Sequence, residues 1–101
     1  MLESVYEEAF AHELGLRGLQ VERQKAVPVV YKGKLLNAEL RIDLLVDDCV
    51  VVECKATTAY NAVFEAQTLT YLRLLDLKLG MVVNFGERYV KNGIRRVVNG
   101  L

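Results

Sequence analysis

The stretch from Arg41 to Lys55 (Arg-Ile-Asp-Leu-Leu-Val-Asp-Asp-Cys-Val-Val-Val-Glu-Cys-Lys) constrains this chain more than any other. It reads as two β-strands joined by a tight acidic turn, with Asp43 in the first strand and Glu53 and Lys55 in the second. Side chains on a strand alternate between faces, so Glu53 and Lys55 point one way and Cys54 the other. The run Val50-Val51-Val52 predicts a strand buried on both faces. A strand of that kind that ends in Glu-x-Lys carries two charges to the rim of the core, where charge is costly unless it is paired or binds a metal. The length of the turn decides what those charges meet. A two-residue turn at Asp47 and Asp48 would set Asp43 opposite Val52. A three-residue loop, Asp47 to Cys49, makes Asp43 and Glu53 direct neighbours on one face, with Cβ atoms about 5 Å apart. Two carboxylates so close repel each other unless a cation lies between them, and the three-residue loop is the expected arrangement.

At 101 residues a single domain spanning 1–101 is expected, and 52% hydrophobic residues suffice for a core. Thirteen basic residues balance thirteen acidic ones, which excludes a whole-protein electrostatic pull toward nucleic acid and leaves only local patches. The two cysteines, Cys49 and Cys54, in a chain with no secretory leader, read as free structural thiols in a reducing compartment, so a cytoplasmic location is expected. His12 is too remote in sequence to complete a zinc site with them. No apolar run is long enough to span a membrane, and no membrane association is expected.

Leu2 to Leu16 reads as an amphipathic helix with Leu2, Val5, Tyr6, Ala9, Phe10, Glu13 and Leu14 at helical spacing and Gly15 and Gly18 as stops. Leu19 to Tyr31 is strand-like, and Pro28 argues for an edge strand or a bulge. Tyr31-Lys32-Gly33-Lys34 is a hairpin turn leading into a strand over Leu35–Val46. After the strand Val50–Lys55 comes a polar link in which Thr57, Thr58 or Asn61 caps the next helix. That helix runs from about Ala62 to Leu75, with Val63, Gln67, Thr70, Tyr71 and Leu74 on one face and Leu69, Leu72 and Leu75 adjoining it. Leu79 to Phe85 is a central strand in parallel crossover with the previous one. Asn92-Gly93 predicts the turn of a terminal hairpin within Tyr89–Val98. The order α-β-β-β-α-β, then a C-terminal hairpin, implies an α/β (α+β) fold with a mixed sheet and helices packed against it.

Asp43 and Glu53 suit a hard cation such as Mg²⁺ or Mn²⁺, with the backbone carbonyl of Cys54 as a further ligand. Glu3 and Glu7, four apart on the first helix, are candidates to join them from above. Lys55 would then lie where it can orient or activate a water or neutralise a phosphate, and Gln67 could orient Lys55 or that water. The chemistry that follows is hydrolysis of a phosphodiester. The same residues would also make a solvated charged cluster at a sheet end, and their spacing alone does not choose between the two.

The set Asp43, Glu53-Cys54-Lys55, in this order of elements, resembles the PD-(D/E)XK nuclease superfamily. More closely, the chain resembles the small bacterial proteins of the GxxExxY family. Leu2-Glu3-Ser4-Val5-Tyr6 carries the Glu-x-x-Tyr part, and the glycine of that motif would fall before residue 1. Tyr31-Lys32-Gly33, Glu65-Ala66-Gln67, Tyr71-Leu72-Arg73, Asn84-Phe85 and Gly93-Ile94-Arg95-Arg96-Val97-Val98-Asn99 extend the likeness over nearly the whole chain. Ile42 stands where the superfamily pattern writes proline. The resemblance implies a restriction-endonuclease-like core and Asp43 and Glu53 as metal ligands. It also implies Lys55 as the catalytic lysine, Gln67 as its helper, and a first-helix glutamate, Glu3 before Glu7, in the site. Arg41, which shares the face of Asp43, and Tyr71 are the expected substrate contacts. The implied function is Mg²⁺-dependent cleavage of DNA, with a homodimer as a natural way to engage a duplex. The alternatives are a non-catalytic module that binds nucleic acid or protein on a nuclease fold, and a phosphohydrolase of small nucleotides.

Overall fold

The computed structural model describes residues 2–100, Ala38 by its backbone only. Helix α1 (Leu2–Leu16) precedes three strands, β1 (Val21–Tyr31), β2 (Lys34–Val46) and β3 (Val50–Lys55). Helix α2 (Val63–Leu75), β4 (Leu79–Asn84), a single 3₁₀ turn (Val90–Gly93) and β5 (Ile94–Val98) follow. The strands form one mixed sheet in the order β1-β2-β3-β4-β5, parallel between β3 and β4 and antiparallel elsewhere.

The loop between β2 and β3 is three residues, Asp47 to Cys49, and the register pairs Leu44 with Val52 and Val46 with Val50. Asp47 and Asp48 both adopt positive φ, a conformation that aspartate tolerates better than bulkier residues. β1 is an edge strand and its register shifts between Pro28 and Val30, so Pro28 sits at an edge and beside a bulge at once. Lys32 and Gly33 both have positive φ, as a two-residue hairpin turn of the primed type requires. Helix α1 ends as expected for a glycine stop: Gly18 is left-handed, and the Leu19 N–H reaches back to the Leu14 carbonyl at 3.1 Å.

Three local expectations are corrected. In α1 the buried side is Tyr6, Glu7, Phe10 and Leu14, while Leu2 and Val5 face outward. In α2 the fully buried residues are Thr68 and Leu72, flanked by Phe64, Tyr71 and Leu75, while Val63, Gln67 and Leu74 are exposed. Thr68 escapes notice because its polarity is hidden: its hydroxyl donates to the Phe64 carbonyl at 2.9 Å, and its methyl packs where a Cβ on Gly80 would stand. Finally, Asn92-Gly93 is not a hairpin tip. The C-terminal hairpin is β4 with β5, and Gly93 lies in the 3₁₀ turn of its long connection, where a side chain would run into the Asn84 carbonyl.

The sheet separates two apolar layers. Leu44, Val46, Val52, Cys54 and Val83 pack with Phe10 and Leu14 under α1. Val27, Ile42, Leu45, Val51, Val82 and Val97 pack with Leu72, Phe64 and Tyr71 of α2. The period-2 rule would put Ile42 and Leu44 on one face, yet they enter opposite layers. Between them lies Asp43. Opposite it on β1, Gln24 has a left-handed backbone (φ 51°) and drops out of the ladder. Both strands therefore change face at Gln24 and Asp43, next to where β3 ends its pairing with β2.

Candidate active site

The β2–β3 ladder stops at Leu44 and Val52. The next pair in register is Asp43 and Glu53, and there the side chains take over the backbone's role. The Asp43 N–H donates to Glu53 Oε2 at 2.8 Å, and the Cys54 N–H donates to Asp43 Oδ2 at 2.8 Å. The two carboxylates thus bridge strands that have begun to part. A residue's N–H and C=O leave an extended strand on the same side, so the Cys54 carbonyl shares this opening with Asp43. The Cys54 side chain points into the α1 layer, and its thiol is pushed up by burial first and by Asp43 second.

Helix α1 brings Glu7, not Glu3, into the interior. Glu7 is 4% exposed, and Glu3 is only half-buried one turn earlier. Glu7 Oε1 accepts from Gln24 Nε2 at 2.8 Å, and the same amide reaches Asp43 Oδ1 at 3.4 Å. Arg23 lies 3.6 Å from the other Glu7 oxygen. Gln24 has no counterpart among the expected site residues. Its signal in the sequence is the polar run Arg23-Gln24-Lys25, which breaks the alternation of the strand around it.

Glu53 is 6% exposed. Burial, then the charge of Asp43, raises its carboxyl to about 8; the Asp43 N–H and Lys55 pull the other way, and Glu7 adds to the rise. Lys55 lies on the same face, half-buried, its Nζ 4.9 Å from the centre of the Phe64 ring. Tyr71, one helical face further along, has its hydroxyl pKa raised by burial and then by Glu53 and Asp43, which places it against the same negative charge. Gln67 lies on α2 between Phe64 and Tyr71 but is exposed and makes no hydrogen bond to any described residue. Arg41 is exposed at the rim. It donates to the Gln24 carbonyl at 3.1 Å and to Glu39 at 3.1 Å, not to Asp43.

The segment that follows Lys55 is clamped from β4. Asn84, 1% exposed, accepts from the Thr57 and Gly86 N–H groups at 3.0 Å and donates to the Thr57 carbonyl at 2.9 Å. Phe85 N–H donates to the Lys55 carbonyl at 2.7 Å. Asn61, the third capping candidate, accepts the Val63 N–H at 2.9 Å and starts α2.

No group of three or more His, Cys, Asp and Glu side chains among the described residues is arranged to hold a metal. Mg²⁺ does not require one, since it is commonly held by one or two carboxylates while keeping several waters. The donors here fit that chemistry: two hard carboxylates and a backbone carbonyl facing one opening, with a third carboxylate behind them. Burial first and the Asp43 charge second favour the protonated form of Glu53, the form that a bound cation would displace.

Among the described residues no helix is long and apolar enough to cross a membrane. Comparison with curated proteins and with solved structures returned no match. A family model described as the PD-(D/E)XK nuclease superfamily matches residues 1–97. The mixed sheet with its flanking helices is the architecture of the restriction-endonuclease-like fold, and with that match over nearly its whole length the chain belongs to the PD-(D/E)XK nuclease superfamily.

Proposed function

We propose that this protein is a metal-dependent nuclease that hydrolyses DNA phosphodiester bonds, and that it belongs to the GxxExxY group within its superfamily. One observation carries the reading: Asp43 and Glu53 exchange hydrogen bonds with each other's strands at an opening in the sheet, with Lys55 beside them and Glu7 buried behind. Asp43, Glu53 and the Cys54 carbonyl would hold Mg²⁺ or Mn²⁺. Bound there, the cation would supply Lewis acidity to the scissile phosphate and lower the pKa of nearby water. Lys55, steadied over the Phe64 ring, orients the attacking water or balances charge on the phosphate. Tyr71 and Arg41 border the opening as substrate contacts, and Gln67 becomes a contact only when substrate reaches the surface of α2. Glu7, held by Gln24 and Arg23, tunes the charge of the cluster from behind. The cytoplasm suits the free thiols of Cys49 and Cys54. Two copies would fit a duplex, and the exposed Leu2, Val5 and Leu16 along α1 offer a face for pairing them.

The test is cleavage of single-stranded, duplex, flap and branched DNA with Mg²⁺ or Mn²⁺, against EDTA. Cutting is expected in the metal alone, and Glu53→Ala and Lys55→Ala should each abolish it. Independently of activity, Mn²⁺ should raise the melting temperature of the wild type and not of Glu53→Ala. A second reading, a non-catalytic binding module, is favoured by the lack of three converging ligands among the described residues and by the outward Gln67. Folded protein that shows neither cutting nor a Mn²⁺ response would sink the metal site and leave the binding module as the better account.

A further inference from the structure

We infer that the tip of the β1–β2 hairpin is a docking surface for unpaired DNA that runs on from the site; this rests on the nuclease reading above. β3 pairs only with Leu44–Val46 of β2, so the arm formed by β1 and the first part of β2 extends beyond it. From Asp43 to the turn at Lys34 this arm is roughly 30 Å long at the rise of an extended strand. It leaves the sheet where β2 parts from β3, which is where the carboxylates lie.

The tip has the composition of a base-stacking platform. Val30, Tyr31 and Leu35 are exposed to 59%, 60% and 63%. Lys32 Nζ stands 5.4 Å from the centre of the Tyr31 ring, over one face of it. From Ala26 to Ala38 the charged residues are Lys32 and Lys34, with no aspartate or glutamate among them. Further down the arm the cations are already paired, Lys25 with Glu22 and Arg41 with Glu39. The uncompensated positive charge of the arm is therefore at its end, beside its exposed apolar groups.

That pairing selects the ligand. Paired DNA shows a protein mainly phosphate, and a two-lysine patch on a chain with zero net charge gives it little purchase. An unpaired strand offers both phosphates and the apolar faces of its bases, and aromatic rings among cations are what bind it. Beyond the bulge at Pro28 the strands pair again, Val30 with Leu35 and Tyr31 with Lys34, and the primed turn at Lys32-Gly33 closes them, so the platform is held in place before the strand arrives.

The experiment is anisotropy titration of three labelled DNAs in EDTA, so that nothing is cut: a single strand, a blunt duplex, and the duplex with a single-stranded tail. Wild type should bind the single strand and the tailed duplex more tightly than the blunt one. Loss of one stacked base corresponds to a weakening of roughly tenfold. Tyr31→Ala should show it on the single strand and the tailed duplex and not on the blunt duplex, while Tyr31→Phe keeps wild-type affinity. Lys32→Ala with Lys34→Ala should weaken single-strand binding and lower its logarithmic salt slope by roughly 1.4. Thermal melts confirm that these surface variants fold. Equal effects of Tyr31→Ala on all three DNAs, or none, would overturn the inference, as would a change in oligomeric state by light scattering on Tyr31→Ala, which makes the tip a contact between copies. Wild type that binds none of the DNAs counts against the nuclease reading itself, while wild type that binds with Tyr31 irrelevant counts against the platform alone.

Discussion

β2 and β3 run in one register yet behave as two different structures along their length. From Val46 to Leu44, β2 meets Val50 to Val52 through an ordinary ladder, with apolar side chains filling the layers on both sides. One pair further on, Asp43 and Glu53 place carboxylates where backbone partners would be. The apolar half gains stability from burial. The charged half draws on it, because a carboxylate at 6% exposure beside another one disfavours its own ionised form. Fixing the register in the first half places the second, so the acidic pair needs no favourable energy of its own to be held together.

The largest loss expected from a single substitution breaks the apolar half. Leu44 is fully buried, and Leu44→Ala should cost about 4 kcal/mol in urea unfolding. A loss below about 1 kcal/mol, the scale of a surface change, would mean that the register is held elsewhere.

The charged half should respond to pH in the opposite sense to an ordinary paired carboxylate. Glu53 has a folded pKa of about 8 against a usual 4.5. Between those values the folded protein keeps a proton that the unfolded chain has released. Metal-free stability should therefore fall as pH rises from about 4.5 to 8, by a total on the order of 5 kcal/mol. Glu53→Gln should remove most of that slope and be the more stable protein at pH 8. Mn²⁺ should stabilise the wild type more at pH 8 than at pH 6, since it competes with the proton. A flat melting temperature across this range in EDTA would show that Glu53 is ionised in the fold.

The clamp behind Lys55 carries a smaller effect than either half. Asn84→Ala would leave the Thr57 and Gly86 N–H groups and the Thr57 carbonyl without their partner and should cost about 2 kcal/mol. If Asn84 positions the end of β3, cleavage should fall further than stability does, with the loss in kcat. Equal affinity and kcat in a folded Asn84→Ala protein would reduce the clamp to a purely structural role.

Much of this contrast is legible in the sequence. The acidic turn and the valine run set the three-residue loop and with it the facing of Asp43 and Glu53, because strand parity is a local rule. Pro28 reads correctly for the same reason, since a missing N–H restricts a residue to an edge or a bulge. The helices are less legible, because a helical face is chosen by what it packs on. Glu3 and Glu7 share a face, and the position of α1 along the sheet is what buries Glu7. Thr68 takes the buried position that Gln67 was expected to border because its hydroxyl is satisfied within the helix and Gly80 leaves room beneath it. Gly93 looks like a turn residue and is needed instead for its close approach to Asn84. Gln24 could not be placed without the fold, since its role depends on α1 and β2 arriving at the same point.

The smallest expected effect lies at Gln24, where α1 meets the charged half. Its backbone is left-handed within a strand, a conformation that costs a residue with a Cβ roughly 1 kcal/mol relative to glycine. Its side chain returns something by bonding Glu7 and reaching Asp43. Gln24→Ala keeps the strained backbone and loses the amide, and should cost about 1 kcal/mol. Gln24→Gly loses the amide but relieves the backbone, so it should be close to wild type in stability. Both should need more Mn²⁺ to reach half of the thermal shift, because Glu7 then keeps only Arg23, at 3.6 Å, among the described residues. Gly and Ala variants of equal stability would show that the left-handed turn at Gln24 is unstrained. Wild-type Mn²⁺ responses in both would show that Glu7 is buried behind the pair without acting on it, leaving Asp43 and Glu53 as the whole of the charged half.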